Sequence, residues 1–149
     1  RKNACQSVGL LDEKLQRNQD LDFHKKLRAN GYLLMTSPDM KAVYFSRSSV
    51  QKFIKQAFNN GFWVINSKGF YLRHLAPLFF MLTSIFLIFL SNEYFLIYIT
   101  IYFMTIFLFF LKLKIFDTFF ETILTFLLHT FYGLGSLYGI FKRSLGRLL

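Results

Sequence analysis

Leu75-Ala-Pro-Leu-Phe-Phe-Met-Leu-Thr-Ser-Ile-Phe-Leu-Ile-Phe-Leu90, then Ser91-Asn92-Glu93, then Tyr94-Phe-Leu-Ile-Tyr-Ile-Thr-Ile-Tyr-Phe-Met-Thr-Ile-Phe-Leu-Phe-Phe-Leu111, is the stretch that decides the fold. Glu93 is the only charged side chain between Leu75 and Leu111. A helix in a soluble domain keeps a polar face for water, and these runs have none. We expect membrane helices over about 75–92 and 94–111. At helical rise each spans about 27 Å, enough for the hydrocarbon core of a bilayer. Ser91-Asn92-Glu93 reads as the tight turn of a helical hairpin. Lys68, Arg73 and His74 precede the first run, and Lys112 and Lys114 follow the second. By the positive-inside rule both flanks belong in the cytoplasm and Glu93 outside.

Beyond the hairpin, 118–141 forms a third membrane-associated helix. It contains Glu121, His129, Gly133, Gly135 and Gly139 and runs into Lys142, Arg143 and Arg147. A full crossing would put those cations outside, whereas a helix lying on or dipping into the membrane keeps them inside. We favour the second arrangement. Gly135-Ser-Leu-Tyr-Gly139 has the GxxxG spacing that lets helices approach closely, and we read it as a packing site within the chain rather than a dimer site.

Before the hairpin the character changes. The chain has 149 residues, 54% hydrophobic, with 21 Phe, and a formal charge of +10. Arg1 to His74 holds 13 of the 18 Lys and Arg residues. A basic excess beside membrane runs points to anionic lipid and not to nucleic acid. Cys5 stands alone, which excludes an internal disulfide framework. The three His residues lack any metal-ligand spacing. The chain opens on Arg1-Lys2-Asn3 without an initiator Met, so we expect it to be the tail of a longer protein.

Within the basic half, Asp20 to Asn30 reads as a helix stopped by Asn30-Gly31. Tyr32-Leu-Leu-Met35 reads as a short buried strand and Ala42-Val-Tyr-Phe45 as a second. Ser48-Ser49 caps a helix from Val50 to about Phe58, ended by Asn59-Asn60-Gly61. The expectation for residues 1–66 is therefore an α/β region, too short to close a sheet by itself, followed by membrane region 67–149. Asp20 and Asp22, at a helix start, suit either the helix dipole or general-base chemistry, and composition does not choose between them.

Taken in order, Val8-Gly-Leu-Leu-Asp-Glu13, Arg17-Asn-Gln-Asp20, Lys26-Leu-Arg-Ala-Asn-Gly31, Pro38, Arg47-Ser-Ser49, Lys55-Gln56 and Asn60-Gly-Phe-Trp63 resemble the C-terminal part of a family-2 glycosyltransferase catalytic domain. Leu72-Arg-His-Leu-Ala-Pro77 and His129-Thr-Phe-Tyr-Gly-Leu-Gly135 resemble the membrane tail of the succinoglycan or exopolysaccharide subgroup. The resemblance implies the acceptor side of a GT-A fold and an inverting transfer from a nucleotide-sugar donor to a glycan or lipid-linked acceptor. It puts the catalytic base at Asp20, with Gln19, Asp22, Gln56 and Trp63 on the acceptor and Arg47 near the donor diphosphate. Arg47 as a solvated loop cation and Trp63 as an interfacial anchor stand as equal alternatives.

Gln56 is followed by Ala57-Phe58-Asn59-Asn60, without the Arg and Trp of the QxxRW motif of processive synthases. The resemblance therefore implies addition of one sugar at a time. It also implies a Mg²⁺ or Mn²⁺ ion in the full-length enzyme, held by residues outside this chain. We expect the chain alone to be inactive. Its expected setting is the inner cell membrane, multi-pass, with the N-terminal segment cytoplasmic. The alternative reading is a non-enzymatic membrane adaptor with a basic cytoplasmic segment.

Overall fold

A computed structural model describes residues 2–43, 49–67 and 72–146. The regular elements among these residues are all helical: α1 Lys2–Ser7, α2 Gln19–Ala29, α3 Val50–Asn66, α4 Ala76–Leu90, α5 Asn92–Phe110 and α6 Ile115–Leu145. A short 3₁₀ turn over Leu72–Leu75 leads into α4.

The expected α/β class, with its GT-A domain end, is therefore wrong for this chain. Tyr32 to Met35 is irregular, and Leu33 and Met35 are about nine-tenths exposed. Val43 is exposed too, while Tyr44 and Phe45 lie outside the described residues. Four apolar residues in a row make a strand only when a neighbouring strand accepts their backbone hydrogen bonds. No strand occurs among the described residues to do so.

The helices form for local reasons. α2 ends at Asn30, where Gly31 takes φ +79° and its N–H reaches the Arg28 carbonyl. Such a left-handed φ costs glycine little. Ser49 caps α3 by accepting from the Lys52 N–H at 3.3 Å, and Ser91 caps α5 by accepting from Glu93 at 3.2 Å. α4 carries Pro77 near its start, where a missing N–H is harmless.

α3 differs from expectation. Asn59-Asn60-Gly61 does not stop it, and it continues unbroken to Asn66. The reason is tertiary. A Cβ at Gly61 would collide with the Tyr132 carbonyl of α6, and one at Gly135 would collide with the Phe58 carbonyl of α3. Ser136 Oγ, fully buried, donates to the Gly61 carbonyl at 3.2 Å. The two helices run parallel, Phe58 facing Gly135 and Phe62 facing Gly139. Close backbone contact offsets the propensity cost of a helical glycine, about 1 kcal/mol. At the end of the seam Arg143 donates to the Ile65 carbonyl at 3.1 Å, and Lys142 lies over the Phe62 ring.

The turn and α4 together (Leu72–Leu90), α5 and α6 are each long and apolar enough to cross a membrane. α4 and α5 form an antiparallel hairpin, with Phe80 stacked near Tyr102 at 4.6 Å between centroids. Phe79, Phe86, Phe89, Ile97 and Phe109 point outward, a surface suited to lipid and not to water. Hydroxyls inside the helices bond to carbonyls one turn back, Ser84 to Phe80, Thr105 to Ile101 and Thr122 to Thr118. α6 meets the open end of the hairpin. Phe119 packs on Phe107, Phe126 on Phe103, and Gly133 on Pro77 and Met81. Tyr102 Oη lies 2.9 Å from His129 Nδ1, a part-buried polar pair flanked by Phe80 and Phe126. α6 thus packs on the hairpin as far as Gly133 and on α3 from Tyr132 onward.

Candidate functional site

The segment before α2 is built as a corner. Asp12 turns the chain, accepting from Lys14 and Leu15. Leu15 is buried, and the Gln19 side chain donates back to the Leu15 carbonyl. Asn18 takes φ +61°, a left-handed conformation that asparagine tolerates better than most residues. The corner is pinned to α3 by Arg17, whose Nη1 donates to Asn60 Oδ1 at 2.7 Å. That contact joins residues 43 positions apart.

The carboxylates differ sharply in setting. Asp20, in the first turn of α2, is exposed. Asp22 is 4% exposed, and its Oδ2 holds Lys26 Nζ at 2.9 Å. Asp20 therefore has the access that proton exchange with a bound hydroxyl requires, and Asp22 is engaged in an ion pair within its own helix. The Gln19 amide is occupied in the corner, donating to Leu15.

Gln56 and Trp63 stand seven residues apart on α3, two helical turns, and so share the polar face opposite the glycine seam. Trp63 is half-buried and meets Phe62 edge to face at 5.2 Å. Gln56 lines a pocket of about 200 Å³ together with Arg17, Lys52, Lys55 and Asn59. The structure thus brings Gln56 beside the corner that carries Gln19 and Asp20, with Trp63 further along the same helix. Arg47 lies outside the described residues.

Two residues that the sequence marks only as a helix stop and as motif departures organise this region. Asn60 occupies the place of the Trp in a QxxRW motif, and here it receives Arg17. Asn59 occupies the place of the Arg and lines the pocket. The missing motif was legible, but nothing in the local pattern pointed from Asn60 to Arg17. Among the described residues no three His, Cys, Asp or Glu side chains gather as a metal would require. The described residues supply no cage for Mg²⁺ or Mn²⁺.

No family model matches the chain, and no solved structure matches it. Among curated proteins, 52 residues are 40% identical to dolichyl N-acetyl-alpha-D-glucosaminyl phosphate 3-beta-D-2,3-diacetamido-2,3-dideoxy-beta-D-glucuronosyltransferase of Methanococcus voltae. The matched stretch is 35% of this chain and 16% of that enzyme. The chain is thus similar, over about a third of its length, to a small part of a glycosyltransferase whose name includes a dolichyl-linked sugar phosphate.

Proposed function

We propose that this chain is the membrane-bound portion of a glycosyltransferase of the family-2 type, which adds one sugar to a lipid-linked or polysaccharide acceptor. The observation that carries the reading is the 52-residue similarity to a transferase named for a dolichyl-linked acceptor. Three helices long and apolar enough to span a bilayer are compatible with an acceptor that resides in one. In this reading α4 and α5 cross the membrane, α6 lies across their open end, and the basic N-terminal segment faces the cytoplasm.

Asp20 is the proposed base. It takes the proton from the acceptor hydroxyl as that oxygen attacks the anomeric carbon and the nucleoside diphosphate departs. Its exposure and its position beside the pinned corner support the role. Gln56 and Trp63, on one face of α3, are proposed to contact the acceptor. The nucleotide-sugar donor, the divalent cation and the diphosphate contact of Arg47 are assigned by the same reading.

Asp20→Asn in the full-length protein tests it. Removing a general base should lower turnover by about 10²- to 10⁴-fold, with helical content by circular dichroism unchanged. Turnover within about twofold of the parent would remove Asp20 from the mechanism.

A further inference from the structure

Lys52, Lys55, Gln56 and Asn59 follow one another at helical spacings of three, one and three, so they share one face of α3. Arg17 reaches the same place from a different part of the chain, held there by Asn60. The result is a hollow of about 200 Å³ with three cations and two carboxamides around it. None of the described residues lining it is acidic. The hollow is smaller than an ordinary small-molecule pocket, a size that suits a compact, multiply charged group. Phosphate fits this chemistry. Its oxygens accept from the Arg fork and the Lys ammonium groups at once, and carboxamide N–H groups add neutral donors.

We propose that this pocket binds a phosphate monoester or diester at the membrane surface. The opposite face of α3 is joined to α6 through the glycine seam, so the pocket stands at a fixed place relative to the apolar helices. A phosphate there belongs either to a lipid headgroup, such as the phosphate of a lipid-linked acceptor, or to a free phosphate in solution. Only the choice of a lipid acceptor rests on the glycosyl-transfer reading; phosphate binding itself does not.

The experiment uses the full chain in maltoside detergent micelles, which carry neither charge nor phosphate. Three probes are titrated with ³¹P or chemical-shift detection on the protein: inorganic phosphate, farnesyl phosphate and the uncharged alcohol farnesol. Lys52→Gln/Lys55→Gln is compared with Lys2→Gln/Lys41→Gln, which removes the same charge elsewhere on the basic half. Lys52 and Lys55 are exposed, and circular dichroism checks that the variant keeps its helices. The expected result is that the pocket variant weakens phosphate binding by about tenfold or more, the control by less than about twofold, and that farnesol does not compete. Preference for farnesyl phosphate identifies a lipid carrier, and equal binding of inorganic phosphate identifies a soluble one; both uphold the site. Equal losses in the two variants would reduce the effect to diffuse attraction and overturn the proposal, as would absence of saturable binding. Because no sugar transfer is measured, failure of the Asp20 test leaves this outcome readable.

Discussion

The two halves of α6 solve the same problem in opposite ways. Its first half faces α5 across an apolar cleft of about 540 Å³, lined among others by Phe103, Phe107, Phe119 and Ile123. Its second half lies so close to α3 that a single methyl group at Gly61 or Gly135 finds backbone in its way. In lipid, association gains little from hydrophobic exclusion, so contact quality decides it. Large rings reach across a gap but leave space that lipid or nothing fills. Glycines bring two backbones together and leave no space at all. The close-packed seam is the rigid one, and it holds the helix bearing Lys52, Gln56 and Trp63.

Gly135→Leu has the largest expected effect. The added side chain meets the Phe58 carbonyl and the Phe62 amide, and we expect loss of the α3–α6 seam at a cost upwards of about 3 kcal/mol. Hydrogen exchange at α3 amides should then rise while α4 and α5 stay protected. Unchanged α3 protection would show that the helices are not in contact. Next come Gly61→Ala and Gly135→Ala, each expected to cost about 1–3 kcal/mol in denaturant titration. Because both open the same seam, the double variant should fall short of the sum by about 0.5–3 kcal/mol. Strict additivity would mean two independent sites.

The hairpin side was legible in the sequence because its signal is local. The uncharged runs match α4 and α5, the expected turn narrows to Ser91 with Asn92 and Glu93 opening α5, and Lys112 and Lys114 follow α5, while Lys68 lies outside the described residues. The glycine spacing at Gly135 and Gly139 was legible as an internal packing feature, yet its partner was not. Gly61 follows two asparagines and reads as a helix stop, and only the α6 backbone lying against it explains why the helix passes through. The expected strand at Tyr32 to Met35 failed for the converse reason. Tyr32 to Met35 has strand-like composition, but pairing is a property of two segments, and one segment's composition does not reveal the other. At the candidate site, Asp20 and Gln56 were visible as family-like positions. The Arg17–Asn60 bond that draws their neighbourhoods together spans 43 residues and leaves no trace in any local window.

Smaller changes sharpen the contrast. Tyr102→Phe removes the hydroxyl bonded to His129 and should cost about 0.6 kcal/mol, the usual scale for hydrogen bonds between membrane helices. The imidazole nitrogen shifts in NMR report the same loss. Smallest of all, Ile123→Phe puts added volume into the open cleft and should change stability by no more than about 0.5 kcal/mol. A large penalty there would mean that the cleft is closed in the membrane and that the two halves of α6 are packed alike.

The seam between α3 and α6 behaves like a rack with discrete teeth. Gly135 and Gly139 lie one turn apart, each facing a carbonyl of α3. Sliding α3 by a fraction of a turn would run those carbonyls into side chains, so the permitted displacements come in steps of about 5.4 Å. The height of the basic hollow relative to the hairpin is therefore set digitally and not by continuous adjustment. A bilayer of different thickness can tilt the assembly as a whole, but it does not slide the hollow gradually toward or away from the apolar helices.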